Sequence, residues 1–127
     1  MANKQLDLAI IELKSFVPAK DFDLSMRFYN DIGFTTSWHD NQLALMDYNG
    51  FKFLLQNFYL KDHAENYVMH LLVTNADHWW EKINEANSDK GYNIQLTAPE
   101  DRTWGIRDFI LLDPSGVMWR IGNELPI

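Results

Sequence analysis

The pattern of apolar and polar positions changes between strand-like and helix-like as the chain is read from its N-terminus. An apolar-rich run over residues 8–17 predicts a first strand. In the next stretch, Leu24, Phe28 and Ile32 recur at helical spacing and form one apolar stripe, so residues 22–32 are predicted to be a helix. The first two elements are therefore a strand followed by a helix.

Three strand-like runs and a polar stretch complete the first half of the chain. The runs cover residues 34–38, 43–48 and 51–59. Asn49 and Gly50 separate the last two runs, and this dipeptide is favoured in tight hairpin turns. The polar stretch over residues 60–66 predicts a linker.

The same order of elements recurs in the second half. An alternating run predicts a strand over residues 67–74, and Ala76, Trp80 and Ile83 lie along one side of a helix predicted for residues 75–87. Three further strands are predicted at residues 94–98, 103–112 and 117–121. Both halves have the order β-α-β-β-β, which indicates two modules.

These two modules predict one α+β domain. A sheet of four strands with a single helix would leave its second face exposed, so each module needs the other to complete a core. The predicted domain spans residues 1–127, with module one at about 8–59, the linker at about 60–66 and module two at about 67–123.

Composition then removes several classes of function. The 127 residues include 18 Asp and Glu against 11 Lys and Arg, which gives a formal charge of −7. This charge argues against a nucleic-acid partner, since such binding relies on Lys and Arg that neutralise phosphates. The absence of cysteine excludes a disulfide framework, a thiolate metal site and a Cys nucleophile. Because the sequence has neither a membrane-span pattern nor a signal-peptide pattern, we expect a cytoplasmic protein with no membrane partner.

Aromatic residues are more numerous than a core of this size needs. The chain has five Trp, five Tyr and eight Phe, so some of them are predicted to line a binding surface. Alternation along the last strand separates Trp119 from Met118 and Arg120, and Trp80 lies on the apolar stripe of the second helix. Trp80 and Trp119 are therefore predicted to belong to the core.

Each module carries its own set of short motifs in a definite order. In module one they are Phe16–Asp21, Ser25–Tyr29 and Ile32–Phe34, and in module two Val73–Asp77, Trp104–Gly105, Arg107–Phe109 and Asp113–Gly116. Together with the repeat, these motifs resemble the glyoxalase/bleomycin resistance protein/extradiol dioxygenase superfamily, the vicinal oxygen chelate fold, over about residues 12–122. The motifs of module two look most like the bleomycin resistance branch.

The resemblance implies a fold in which each module curls its sheet around a cleft. In the bleomycin resistance branch, it further implies a homodimer with ligand clefts between subunits. Members of that branch sequester a flat, cationic glycopeptide drug in an acidic, aromatic-lined groove and do no chemistry on it. The expected partner is therefore a small molecule similar to bleomycin.

The resemblance also places the metal-binding positions of the superfamily's enzymes. Those positions carry Lys14, Gln56, Val68 and Arg120 here, with His70 two residues beyond Val68. A protonated amine, an amide, an aliphatic chain and a guanidinium are poor ligands for a divalent ion. We therefore expect no metal, no cofactor and no catalytic residue.

Ligand contacts follow from the same comparison of motifs, and Trp38 and Trp104 are the expected stacking pair. The other candidates are Leu43, Gln56, Asp40, Asp47, Asp108 and His70. Alternatives remain for several of them. Trp38 and Trp104 are packed strand residues in one alternative, Asp40 only shapes its turn in another, and Asp108 pairs with Arg107 in a third.

Three functional hypotheses result from the sequence. The first is a non-catalytic binding protein of the bleomycin-resistance type. The second is a metal-dependent lyase or isomerase of the glyoxalase type, and the third is a small-molecule binding module with no resistance role. Lys14 and Arg120 leave the charge of the ligand open: either a fixed cation pairs with a buried carboxylate, or the ligand is anionic or neutral.

Overall fold

Two β-sheets are formed by the two halves of the chain in this computed structural model, which describes residues 5–126. Sheet one contains β1 (Phe16–Pro18), β2 (Thr35–His39), β3 (Leu43–Tyr48) and β4 (Phe51–Gln56), in the order β1-β4-β3-β2. Only the β1–β4 pair is parallel. Helix α1 (Phe22–Asp31) connects β1 to β2.

Sheet two repeats this arrangement with an additional short strand. It contains β5 (Val68–Leu72), β6 (Gln95–Leu96), β7 (Glu100–Asp101), β8 (Ile106–Leu112) and β9 (Met118–Glu124), in the order β5-β9-β8-β6 with β7 paired to β8. Helix α3 (Ala76–Lys90) connects β5 to β6. The fold is α+β, as predicted. Within residues 5–126, none of the helices combines the length and apolar character that a membrane crossing requires.

Several local predictions differ from the structure, among them the first strand, the linker and the start of the strand predicted at residues 103–112. The first strand is confined to residues 16–18, which pair with Leu54, Leu55 and Gln56 of β4, and the backbone pairing begins only where the Leu54 N–H donates to the Ser15 carbonyl. The linker contains a short helix, α2 (Lys61–Glu65). Residues 103–105 were predicted as strand but lie in a turn in which the Gly105 N–H donates to the Arg102 carbonyl, and φ of Gly105 is +86°. Trp104 therefore lies at a turn and not within a strand.

The core forms where the two sheets meet. We define the inner face of each sheet as the one that contacts the other sheet, and the outer face as the opposite one. Phe53 of sheet one lies 5.3 Å from Trp119 of sheet two, between ring centroids, and Tyr29 of α1 contacts both rings. The prediction that Trp119 belongs to the core is confirmed, and Trp80 packs against the same core while remaining partly exposed.

A buried polar cluster ties α1 to module two. The Tyr29 hydroxyl donates to the Asp113 carboxylate, and the Trp119 indole N–H donates to the Tyr29 oxygen at 2.8 Å. The backbone N–H groups of Ser115 and Val117 donate to the other Asp113 oxygen, each at 2.9 Å. Burial raises the pKa of Asp113 to about 6 despite these hydrogen bonds.

Candidate ligand-binding faces

The outer face of sheet one is lined by alternate residues of β3 and β4. Leu43 is paired with Gln56, and Leu45 is paired with Leu54. Trp38 of β2 is the cross-strand partner of Leu45 and is 51% exposed. Trp38, Leu43 and Gln56 therefore lie on one surface, as the sequence-based assignment requires.

A β-bulge gives Trp38 its direction. The register between β2 and β3 shifts between Thr36 and Trp38, so the pairing moves from Thr36–Met46 to Trp38–Leu45. Met46 is buried on the inner face, and strict alternation would have put Trp38 there as well. The extra residue, Ser37, turns the indole to the outer face.

The outer face of sheet two is an apolar surface with a cation at its centre. Val68 and Leu72 of β5 are both more than half exposed. Between them, His70 is paired across the strands with Arg120, and Ile110 is paired with Arg120 from the other side. The sequence-predicted His70 thus lies beside a guanidinium group.

Asp108 anchors a chain of charges on this face. Its carboxylate is buried and bridges two arginines, with Arg102 Nε 2.7 Å from Oδ1 and Arg120 Nη2 3.0 Å from Oδ2. Arg102 Nη1 also lies 3.0 Å from Glu100. Gly122 faces Asp108 across the ladder, and a Cβ there would lie 2.8 Å from the Asp108 Cβ, so glycine makes room for the bridge.

The alternative that Asp108 pairs with Arg107 is wrong. Arg107 instead pairs with Asp77 and Asp101, at 3.0 and 2.9 Å. The sequence-based alternative that Arg120 pairs with a buried carboxylate agrees with the ion pair between Arg120 and Asp108. Sequence reasoning missed Arg102, and the available signal was its spacing of two residues from Glu100, which pairs with Asp108 across the turn that carries Trp104.

Trp104 lies beside this charged cluster. Its indole is 63% exposed, and the guanidinium carbon of Arg120 lies 5.9 Å from the indole centroid, which is a cation–π contact. The exposed turn and this contact together place Trp104 at the outer surface of sheet two.

Two of the predicted carboxylates are engaged by turns. Asp40 Oδ1 accepts the backbone N–H groups of Gln42 and Leu43 at 2.8 and 2.9 Å, and these hydrogen bonds lower the pKa of Asp40. Asp47 Oδ1 accepts the Gly50 N–H at 2.7 Å in the β3–β4 hairpin. Both side chains shape the backbone around sheet one.

The candidate residues therefore form two groups on different sheets. Trp38, Leu43 and Gln56 belong to the outer face of sheet one, whereas Trp104, His70 and Asp108 belong to the outer face of sheet two. Because the inner faces contact each other, the outer faces point apart. Trp38 and Trp104 therefore lie on different surfaces of one chain.

The superfamily's metal positions do not suit a divalent ion here. Lys14 Nζ pairs with Glu12 at 2.6 Å, Arg120 pairs with Asp108, and Val68 is aliphatic. Between residues 5 and 126, no group of three or more His, Cys, Asp or Glu side chains is arranged to hold a metal ion. The donor set does not fit the metal centre that enzymes of this fold use.

The protein therefore consists of two paired βαβββ modules. The exposed outer faces of its sheets are suited to contacts with a ligand or with another subunit. The chain belongs to the Glyoxalase/Bleomycin resistance protein/Dioxygenase superfamily, whose family model matches residues 10–121. The superfamily membership predicted from the motifs is confirmed. No curated protein matches the sequence at a significant level.

Solved structures of similar fold include both binding proteins and an enzyme. A bleomycin resistance determinant encoded on the transposon Tn5 has 20% identity and a TM-score of 0.76 over 90% of this chain and 98% of its own. The bleomycin-binding protein of Streptomyces verticillus, complexed with copper(II)-bleomycin, has 17% identity and a TM-score of 0.73 over 95% and 100%. A lactoylglutathione lyase from Agrobacterium tumefaciens has 14% identity and a TM-score of 0.66 over 91% and 95%. At these identities the likeness concerns the fold.

Proposed function

We propose that this protein is a homodimeric, non-catalytic binding protein that sequesters a flat compound of the bleomycin type between two copies of the chain. The observation that carries the proposal is the placement of Trp38 and Trp104, two exposed indoles on outer faces that point apart. A second copy would bring Trp38 of one chain opposite Trp104 of the other. Two indole faces would then offer a large stacking area to a planar ring.

The segment before β1 supports the dimer. Residues 5–15, which we call the arm, carry Leu6, Leu8, Ile10, Ile11 and Leu13. These five side chains are between 66% and 94% exposed. A run of exposed aliphatic residues of this kind is typical of a contact surface, because full burial of each such side chain contributes about 1.5–3 kcal/mol. A second copy of the chain is the occupant we propose.

Acidic groups near Trp104 support a ligand with a cationic portion. Glu100 and Asp101 form β7, directly before the Trp104 turn, and their side chains remain mostly exposed although each contacts an arginine. The chain as a whole carries a formal charge of −7. Such charge accelerates encounter with a cation and can hold an amine at the rim of a groove.

Calorimetry with bleomycin tests the proposal, with Trp104→Ala as the diagnostic variant. We expect the wild type to bind, and we expect the variant to lose about tenfold or more in affinity, because a stacked ring contributes on the order of 1–3 kcal/mol. The unfolding midpoint should change little, since the Trp104 indole is exposed.

Phe51→Ala is the matched control, because Phe51 is also a largely exposed aromatic residue but lies at the β3–β4 hairpin. It should retain wild-type affinity for bleomycin. Absence of binding by the wild type at high micromolar bleomycin would sink the proposal. If the wild type does bind, the bleomycin tolerance of cells that express the protein would distinguish a resistance role from binding alone.

A further inference from the structure

The guanidinium group of Arg120 has donors that the protein leaves free. Its contact with Asp108 is a single ion pair at 3.0 Å through Nη2, because the other Asp108 oxygen is engaged by Arg102. The Nε–H of Arg120 is shielded from solvent and has no hydrogen-bond partner among residues 5–126. An arginine offers five N–H donors and no acceptor. The side chain is one-third exposed, so part of it is within reach of a ligand.

The charges around Arg120 nearly cancel. Arg102 and Arg120 carry two formal positive charges, and Asp108 and Glu100 carry two formal negative charges. Both Asp108 oxygens are occupied by arginines. Beside Arg120 a ligand cation would find both oxygens of Asp108 engaged, whereas an oxygen acceptor would find N–H groups of Arg120 without a partner among residues 5–126.

The surroundings of Arg120 are mainly apolar. Val68, Leu72, Met118 and Ile110 lie on the same outer face of sheet two, and the Trp104 indole lies 5.9 Å from the guanidinium carbon. Binding sites of this composition use a few polar groups on an apolar surface to orient the ligand. A flat ring on this surface would bring its substituents close to Arg120.

We infer that the outer face of sheet two recognises a carbonyl oxygen attached directly to a flat aromatic ring, as in an aryl carboxamide or an aryl carboxylate. The ring packs against Trp104 and the aliphatic residues, and the oxygen accepts a hydrogen bond from Arg120. Arg120 is then a specificity-determining residue, oriented by Asp108. The inference rests on the proposed ligand-binding role of this face and adds the chemical group that the ligand must present.

The test uses three probes that share one ring system. These are 2-naphthamide, 2-naphthoate and 2-naphthylmethylammonium, which carry a neutral acceptor, an anionic acceptor and a cationic donor. Binding is followed through the indole N–H resonance of Trp104 in NMR titrations. We expect the wild type to prefer at least one acceptor probe over the ammonium probe by about tenfold, the gain expected from a hydrogen bond to a charged group. The ranking of amide and carboxylate then identifies the acceptor class.

The diagnostic variant is Arg120→Met, which retains an unbranched apolar side chain against Trp104 but has no donors. It should lose the preference for acceptor probes. Arg107→Met is the matched control, since it removes an equal charge from the same sheet at a residue that pairs with Asp77 and Asp101. Should Arg120→Met fail to fold, Arg120→Lys replaces it and should reduce the preference by weakening the planar contact.

Several outcomes would overturn the inference. They are equal wild-type affinity for all three probes, a preference that persists in the Arg120 variant, and an Arg120 variant that becomes monomeric, since Arg120 would then serve the contact between copies. Bleomycin affinity that is unchanged in the Arg120 variant also counts against the inference but leaves the proposed function standing. An Arg120-dependent acceptor preference in a protein that does not bind bleomycin overturns the proposed ligand alone.

Discussion

Trp38 and Trp104 owe their exposure to single irregular positions in the backbone. A bulge at Ser37 turns Trp38 to the outer face of sheet one, and a glycine with positive φ at position 105 follows Trp104 in its turn. Neither irregularity can be recognised from the order of apolar and polar residues in the sequence. The resemblance of the motifs therefore identified both indoles as ligand candidates, while their direction depended on local geometry.

Asp113 is the residue for which a dependence of stability on pH is expected. Its pKa in the folded protein is raised by burial to about 6, against 3.8 for an ordinary carboxyl. The folded state thus binds the proton more tightly than the unfolded state does. The contribution of Asp113 to stability is full below pH 3.8 and is lost as the pH rises through about 6.

Comparison with Asp113→Asn isolates this effect, since asparagine does not titrate but can still accept hydrogen bonds from the Ser115 and Val117 N–H groups. The difference in free energy of unfolding, wild type minus variant, should fall by about 1–3 kcal/mol between pH 4 and pH 7. Urea unfolding at several pH values measures it. A difference that stays constant or increases with pH would contradict the raised pKa.

At the scale of elements, local sequence was sufficient where a segment makes its own contacts. Helix α1 was predicted over residues 22–32 and is found at Phe22–Asp31, because its apolar stripe and its N-cap Asp21 are both local features. The first strand was predicted over residues 8–17 but is found only at Phe16–Pro18. A strand requires backbone pairing with a neighbour, and the apolar pattern of the arm does not show where its pairing with β4 begins.

The arm provides a prediction at this scale. The double variant Leu8→Lys, Ile10→Lys replaces two exposed aliphatic side chains with charged ones. If a second copy covers the arm, the dimer should dissociate at protein concentrations at least about tenfold higher than for the wild type, because the buried apolar contacts are lost. Sedimentation equilibrium measures the change.

Asp7→Lys serves as the control for charge, because Asp7 lies in the same arm and its exposed side chain accepts the Ala9 N–H from within that arm. This variant should dimerise like the wild type. A double variant with wild-type dimerisation would show that the arm does not contribute to the interface.

At the scale of the whole molecule, the important fact is that the two ligand-candidate faces point apart. Phe53, Trp119 and Tyr29 contact one another between the inner faces of the sheets. In the proposed dimer, each chain would therefore contribute two separate half-sites. If copies combine as proposed, each complete site contains Trp38 from one chain and Trp104 from the other.

Mixing two inactive variants tests this arrangement. A Trp38→Ala chain and a Trp104→Ala chain each form homodimers in which every site lacks one indole. In their mixed dimer, one site has both indoles and the other has neither. We therefore expect mixing to restore wild-type affinity for bleomycin in one site per mixed dimer, which calorimetry reports as stoichiometry. Failure of mixing to restore any high-affinity binding, despite formation of mixed dimers, would argue against a shared site.

The sequence by itself determined the two βαβββ modules with their two long helices, the superfamily and the core position of Trp119, because apolar periodicity and short motifs are local properties. The tertiary structure alone decided how the candidate residues are grouped. Asp108 binds Arg102 and Arg120 and not its neighbour Arg107, since strand pairing and the space above Gly122 bring distant residues together. It also placed Trp38 and Trp104 on faces that point apart, because the direction of a side chain depends on the bulge, the turn and the packing of one sheet on the other.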